Sequence, residues 1–184
     1  MFAQQSVSLV QQAMYLIEQV PKLVTAPEYN TVAITLADSG DIILADRYYR
    51  KAIDTSLDGY MKALATRSYA AFIFRQRRFE DTRELFIKSL SLFRSSDNPN
   101  LVRHVNGFTY QMWALNELQI ANAEKRAEEI FESARNEFRG IDIEPIHQQA
   151  LNTLEKLKNN PKSIDTAPIG VDPLSLSKVS QSNV

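Results

Sequence analysis

Apolar residues recur every three to four positions through most of the chain up to Asn159, and polar residues fill the positions between them. This spacing is typical of helices with one buried face. It is clearest in four segments: 62–75, 79–94, 101–120 and 123–139. We find no alternating run that predicts a strand well. The pattern therefore predicts an all-α protein of about eight helices joined by short turns.

Prolines, glycines and clusters of turn residues mark where the predicted helices begin and end. A first helix is predicted over 4–20, and Pro27 suits the first turn of the next one. Gly40 suits a tight turn between two helices. The cluster "SSDNPN" at 95–100 predicts another turn, with Asn98 or Asn100 able to cap the helix that follows.

One arrangement of side chains occurs three times. A small, an aromatic and a small residue follow one another at spacings of four and three: Ala45-Tyr49-Ala52, Thr82-Phe86-Ser89 and Ala127-Phe131-Ala134. These spacings place each trio on one helical face, where small residues allow close approach and the ring fills the gap between neighbours. A turn is predicted five residues before each trio, at Gly40, Arg77 and Asn122. Glycine and asparagine accept a left-handed backbone readily, whereas arginine does so at a cost.

The repeated trio resembles the tetratricopeptide repeat (TPR) family, whose unit is a helix–turn–helix of about 34 residues. The resemblance covers residues 27–139 and implies a right-handed TPR-like solenoid of helical hairpins. The turn glycine of the family is matched by Gly40 only, and its early tryptophan position falls on Tyr29, Thr66 and Gln111.

The resemblance divides the chain into one domain and a tail. The repeats span 27–60, 62–97 and 101–139, and helices over 4–20 and 144–158 cap the stack within a domain of residues 1–159. Gly140 is expected to end the helix before the last cap. Residues 160–184 are rich in proline, serine and asparagine, and we predict that they are disordered.

In the TPR family the first helix of each unit lines a concave groove that binds an extended peptide or a helix. Carried over position by position, the resemblance implies a groove lined by Asn30, Ile34, Arg67, Phe74, Arg75, Met112, Asn116 and Gln119. The two arginines favour an acidic ligand. The lysine and asparagine clamp with which some members hold the carboxylate of a chaperone tail is not reproduced, so such tails are not predicted as ligands.

Composition narrows the function further. The chain of 184 residues has 21 basic and 22 acidic residues, so its net charge of −1 gives no general attraction to nucleic acid or to anionic membranes. The absence of cysteine excludes disulfides, thiolate zinc sites and cysteine catalysis. No apolar run is long enough to insert into a membrane, and the N-terminus lacks the basic start of a secretory signal. A cytoplasmic location is the default expectation.

Several local clusters of residues suggest a function but have a plainer structural explanation. The basic run "RQRR" (75–78), near aromatic residues, resembles a nucleic-acid patch, but a solvated helix end explains it better. The lone His104 and His147 do not form a metal site. Acidic residues on the later helices alternate with basic ones, as on a salt-bridged surface, and Trp113 fits packing between hairpins better than it fits a ligand anchor.

These observations predict a non-catalytic protein-interaction module without cofactor: an adaptor, an assembly factor or a dedicated chaperone for a protein or peptide partner. Two alternatives stay open. One is a regulatory helical-repeat protein that acts on a signalling partner, and the other is a structural subunit of a homo-oligomer. A homodimer is also compatible with the interaction-module prediction.

Overall fold

The computed structural model describes residues 2–20, 24–93 and 99–139, together with Asn152, Glu155 and Asn159. Seven helices are complete within these ranges: α1 (Phe2–Gln19), α2 (Ala26–Asp38), α3 (Ile42–Asp54), α4 (Gly59–Arg75), α5 (Phe79–Phe93), α6 (Pro99–Glu117) and α7 (Glu124–Phe138). The described ranges contain no strand, so the all-α prediction is confirmed for them.

Two predicted segments fall largely outside the described residues. Within the predicted cap over 144–158, Asn152 and Glu155 are helical, and Glu155 forms an ion pair with Arg135 of α7. The remainder of that segment lies outside the described residues. The predicted tail at 160–184 lies completely outside them. Of the two predicted caps for the helix after the 95–100 turn, Asn98 also lies outside the described residues, and Asn100 lies inside α6 rather than before it.

The helices form three hairpins that contact one another in series. The most extensive contacts are within α2–α3, α4–α5 and α6–α7. Consecutive hairpins meet through α3 with α4 and through α5 with α6, and the first helices also touch, α2 with α4 and α4 with α6. Helix α1 packs on α2. Each hairpin therefore buries its apolar face against its neighbours along the chain.

The predicted turns are confirmed in all three hairpins. Gly40, Arg77 and Asn122 have φ angles of 87°, 58° and 60°, in the left-handed region. In the first two turns this residue ends a helix in the same way: Asp41 N donates to Leu36 O at 3.0 Å, and Arg78 N donates to Ile73 O at 3.4 Å. Such six-to-one bonds satisfy carbonyls at a helix C-terminus and reverse the chain within a few residues.

All nine residues of the repeated trio are buried, as the spacing predicts. The Tyr49 ring lies 5.8 Å from the ring of Tyr69 and 5.0 Å from that of Phe72, both on α4. Phe131 belongs to a cluster of buried residues with Phe74 on α4. In the first and third hairpins the aromatic residue thus packs against the second hairpin, and the small residues beside it allow the helices to approach.

Aspartate side chains cap the starts of α3 and α4. The Asp41 carboxylate accepts a hydrogen bond from Leu44 N at 3.1 Å, and Asp58 accepts one from Met61 N at 2.7 Å. Both bonds satisfy backbone donors that a helix leaves free in its first turn. Among the described helices, none is long and apolar enough to cross a membrane.

Candidate functional site

The predicted groove residues lie on α2, α4 and α6, the first helices of the three hairpins. The last turns of α2 and α4 meet, because Arg75 Nη1 donates to Asp38 Oδ1 at 3.0 Å. At α6, Asn116 Nδ2 donates to Phe79 O, at the start of α5, at 2.9 Å. The structure therefore brings the three groups of residues onto helices that touch in sequence.

Burial divides the eight predicted groove residues into two groups. Four are buried: Asn30, Arg67, Phe74 and Asn116. The other four keep accessible surface, and they are Ile34, Arg75, Met112 and Gln119. We call this second group the accessible groove residues. Of the eight predicted groove residues, these four offer side-chain surface to a ligand without a rearrangement of the structure.

The buried group supports the structure from beneath. The Phe74 ring packs 5.8 Å from that of Phe79 and contributes to a cluster with α6 and α7. Asn116 is fully buried and joins α6 to α5 through its amide nitrogen. Arg67 is 5% exposed and Asn30 is 7% exposed. These side chains position the first helices and contribute little contact area of their own.

Two amide oxygens in this region are buried without a hydrogen bond in the part of the chain that the structure describes. They are Oδ1 of Asn30 and Oδ1 of Asn116. A buried acceptor left unpaired costs about 1–3 kcal/mol. Both amides lie at positions that the repeat pattern assigns to the groove.

The charges on the accessible surface are largely balanced in pairs. Arg75 is half exposed and pairs with Asp38, while Arg78 pairs with Asp81 at 2.6 Å. The basic run at 75–78 thus has two of its arginines bound to carboxylates at helix ends. This arrangement favours the interpretation of a solvated helix end over that of a nucleic-acid patch.

One buried group of polar residues in the described part of the chain was not predicted from the sequence. Glu117 of α6 is fully buried, and Arg83 of α5 donates to both its oxygens, through Nε at 2.6 Å and Nη2 at 2.7 Å. Trp113 Nε1 donates to Glu117 Oε1 at 2.8 Å. The hydrogen bond from Arg83 to Glu117 is the largest of the causes that raise the pKa of Arg83. We call these three residues the Glu117 network.

Sequence spacing could not reveal the contact of Arg83 with Glu117, because the two residues lie on different hairpins. The one local signal is the four-residue spacing of Trp113 and Glu117, which places them on the same face of α6. Trp113 is partly buried against a cluster that includes Phe74 of α4 and Phe131 of α7, which agrees with the packing role predicted for it. Its ring also stacks on Tyr110 of its own helix at 6.3 Å. The network connects α5 to α6, so its role is to hold two neighbouring hairpins together.

An open cleft of about 460 Å³ lies beside this network, between the start of α5 and the α6–α7 turn. Its charged lining residues are Glu80, Arg83, Lys125, Arg126 and Glu129. Cations and carboxylates alternate there, and Glu80 pairs with Arg83 at 2.5 Å. The mixture of charges does not select a ligand of either sign.

Within the described residues, side chains suited to metal binding or acid–base chemistry do not converge on one site. His104 packs edge-on against Phe108 at 5.1 Å, and His147 lies outside the described residues. The described part of the chain has no group of three His, Cys, Asp or Glu residues that could hold a metal ion. The acidic residues of α5 and α7 are exposed except Glu137, which is partly buried, and several form ion pairs along their own helix, such as Glu132 with Arg135 at 3.6 Å.

The α2, α4 and α6 surface is therefore the candidate site, with the accessible groove residues as its contact points. Comparison with known proteins adds no relative from which a role could be taken: no protein-family model, no curated protein and no solved structure matches the chain.

Proposed function

We propose that this chain is a non-catalytic protein-interaction module, with its hairpins stacked as a TPR-like solenoid. The observation that carries the proposal is the contact of successive first helices, α2 with α4 and α4 with α6. First helices in contact line one continuous face in a hairpin stack, and such faces bind extended peptides or helices. The module would act in the cytoplasm, without a cofactor, as an adaptor, assembly factor or dedicated chaperone.

The chemistry of the accessible groove residues suits a short peptide. Ile34 and Met112 offer apolar surface, and methionine adapts its shape to different side chains. Gln119 has an amide that both donates and accepts hydrogen bonds, as a peptide backbone requires. Because the face belongs to helices that are already packed, binding would cost little ordering of the protein itself.

Arg75 makes an acidic residue in the ligand favourable. Its partner Asp38 is exposed, and an exposed ion pair contributes only about 0–1 kcal/mol to stability. A ligand carboxylate can therefore replace Asp38 at the guanidinium at little cost to the fold. The partner that fits best is a peptide or helix with apolar residues and at least one acidic residue.

The test begins with selection of peptides from a random display library on the immobilised protein, followed by calorimetric titration of the peptides obtained. Ile34→Glu/Met112→Glu should weaken binding by at least about ten-fold, which corresponds to about 1.4 kcal/mol. The matched control is Ile43→Glu/Leu57→Glu, because these apolar residues are 83% and 96% exposed and lie outside the first helices. An equal loss in both variants, or in neither, would contradict the proposal.

The charge of the ligand is tested separately with a peptide that contains an acidic residue. Arg75→Gln should weaken its binding, and Asp38→Asn should strengthen it by releasing Arg75. A peptide in which the acidic residue is replaced by its amide should respond to neither variant. Asn30, Arg67 and Asn116 are unsuitable for this test because they are buried, so their replacement would also alter stability.

A further inference from the structure

Beyond the described residues, the sequence contains a segment with the features that suit the accessible groove residues. Residues 163–177, SIDTAPIGVDPLSLS, include two aspartates and no lysine, arginine or histidine. Apolar residues flank the second aspartate, Asp172, with Ile169 three positions before it and Leu174 two positions after it. We call residues 163–177 the acidic segment. It combines apolar side chains with a carboxylate, as a partner of the groove should.

The accessible groove residues complement this segment in charge. Arg75 is the one charged residue among the four, and 48% of its side-chain surface is exposed. Its partner Asp38 is 60% exposed, so water weakens the ion pair and another carboxylate can take the place of Asp38. The acidic segment brings two carboxylates and no cation to this arginine.

The order of groups across the groove is apolar, cationic, apolar. Ile34 lies on α2, Arg75 on α4 and Met112 on α6. The first helices touch in the same order, α2 with α4 and α4 with α6. The axes of packed helices are about 8–10 Å apart. A ligand that crosses the three helices therefore needs a carboxylate at its centre and an apolar residue about 8–10 Å away on each side.

The acidic segment has this order and this spacing. Two prolines, at positions 168 and 173, favour an extended polyproline backbone, which rises by about 3.1 Å per residue. Successive helices are then about three residues apart along the ligand. Ile169 and Asp172 have this separation. Leu174 and Leu176 lie on either side of the corresponding position after Asp172, which is Ser175.

The chain is long enough to bring the acidic segment to the groove. Glu155 forms an ion pair with Arg135 of α7, so Glu155 lies at the third hairpin. Ile169 follows Asn159 by ten residues, which span up to about 33 Å when extended. A folded domain of about 160 residues has a radius of gyration of about 15 Å, so this length suffices. The first helix of the third hairpin is α6, which the segment meets before α4 and α2.

We propose that the acidic segment occupies the groove of its own chain as a tethered ligand. In this arrangement Ile169 contacts Met112, and Asp172 replaces Asp38 at Arg75. The inference rests on the proposed peptide-binding function, because it names a ligand for the same site. A tethered ligand acts at an effective concentration on the order of 1 mM, so an intrinsic Kd of about 0.1 mM fills the groove in about nine chains of ten. An external partner must therefore displace the chain's own segment.

Disulfide formation in the full chain tests the position of the acidic segment. The chain has no cysteine, so each introduced pair reports one contact. Met112→Cys/Ile169→Cys and Ile34→Cys/Ser175→Cys should close intramolecular disulfides in glutathione buffer at least about ten-fold faster than Ile43→Cys/Ser175→Cys. Ile43 is the matched control because it is 83% exposed and lies on α3, outside the groove. Mass spectrometry identifies the linked residues, and low protein concentration prevents links between chains.

Competition tests the occupancy without any cysteine. The probe is a synthetic peptide of residues 163–177, titrated calorimetrically into full chains. Ile169→Ser/Asp172→Asn should bind this peptide at least about ten-fold more tightly than the wild type, because its own segment no longer fills the groove. Ile164→Ser/Asp165→Asn makes the same two changes elsewhere in the segment, and it should bind the peptide as weakly as the wild type.

Several results would overturn the inference. Equal rates of disulfide formation in the three pairs, equal peptide affinity in the wild type and Ile169→Ser/Asp172→Asn, or an equal gain in the two tail variants would each contradict it. If peptides from the display library bind the groove and the 163–177 peptide does not, this inference fails and the proposed function stands. If neither kind of peptide binds to any of the chains, both fail.

Discussion

Gly107 of α6 lies against the ring of Phe138 of α7. A Cβ added at Gly107 would lie 2.6 Å from Phe138 Cζ and 2.8 Å from its Cδ1. Phe138 is 1% exposed, and its ring also packs edge-on against Phe108 at 5.4 Å. The ring therefore has no room to move away. The third hairpin depends on the missing side chain at this position.

Gly107→Ala should lower the free energy of unfolding by about 1–2 kcal/mol, because the overpacking penalty exceeds the gain in helix propensity. Denaturant unfolding measures the change. In a Phe138→Leu background the smaller side chain leaves space, so the same substitution should cost less or become stabilising. An equal cost in both backgrounds would show that the contact with Phe138 is not the cause.

Tyr69 and Asp46 form a polar contact between the first two hairpins. Tyr69 Oη donates to Asp46 Oδ1 at 2.5 Å, and Arg50 Nε donates to Asp46 Oδ2 at 2.8 Å. Burial, together with the hydrogen bond to Asp46, raises the pKa of Tyr69 to about 12. Burial acts to raise the pKa of Asp46 as well, but the bonds from Arg50 and Tyr69 outweigh it and lower that pKa.

Tyr69→Phe should lower the free energy of unfolding by about 1.5–3 kcal/mol at neutral pH, the usual contribution of a hydrogen bond to a charged group. The pKa of Tyr69 is higher in the folded state than the value of about 10 in the unfolded chain. Its contribution is therefore complete below about pH 10 and is lost as the pH rises towards about 12. The stability difference between wild type and variant should narrow over this interval.

Urea titrations from neutral to alkaline pH measure how the stability difference between wild type and Tyr69→Phe changes with pH. In an Asp46→Asn background the acceptor is uncharged, so the pKa of Tyr69 should fall towards its ordinary value and the narrowing should be smaller. A stability difference that does not change with pH would contradict the assigned cause.

At the scale of the elements, the three hairpin turns use different residues for the same conformation. Gly40 has φ of 87°, and a Cβ added there would meet no atom within 4 Å. Arg77 adopts φ of 58° with a full side chain. A left-handed residue other than glycine costs about 1–2 kcal/mol. The second hairpin therefore stores strain that the first avoids.

Arg77→Gly should raise the free energy of unfolding by about 0.5–1 kcal/mol. Glycine removes the backbone strain, and this gain is partly offset because glycine has more conformational freedom in the unfolded chain. Gly40→Ala should lower it by about 1 kcal/mol, and only the backbone angle can be the cause because the space is open. Thermal unfolding of both variants provides the comparison. Stabilisation by Gly40→Ala, or destabilisation by Arg77→Gly, would contradict the turn geometry.

The elements were more predictable from sequence than the site. Helices, turns and the buried trio follow from periodicity within one hairpin, and Ala45, Phe86 and Phe131 are buried as predicted. The exposure of Asn30 and Arg67 depends on how closely α2 and α4 pack, which no local pattern reports. The repeat pattern predicts that these two polar residues line the ligand surface, whereas the structure places them inside.

At the scale of the whole molecule, stability in a series of hairpins depends on contacts between neighbours. The Glu117 network is one such contact, because it joins Arg83 of the second hairpin to Glu117 and Trp113 of the third. Glu117 is fully buried, and Arg126 Nη1 is a more distant cation, 3.9 Å from Oε2. Loss of its charge would leave Arg83 without its main partner.

Glu117→Gln should lower the free energy of unfolding by about 3–5 kcal/mol, the usual cost of breaking a buried ion pair by removal of one charge. Glu132→Gln is the matched control, because Glu132 is exposed and pairs with Arg135 on its own helix, so its loss should cost no more than about 0.5 kcal/mol. Amide hydrogen exchange should accelerate more in α6 and α7 than in α2 and α3, because each hairpin is stabilised by its direct neighbours.

The double variant Arg83→Met/Glu117→Met separates the cost of an unpaired charge from the value of the pair. Replacement of both partners of a buried pair by apolar residues of similar size is often neutral or stabilising. The double variant should therefore recover much of the stability lost in Glu117→Gln, and Trp113 Nε1 would remain as the one donor deprived of its acceptor. If the double variant does not recover stability, the ion pair itself stabilises the molecule. If amide exchange becomes uniformly faster in all helices, the hairpins unfold as one unit.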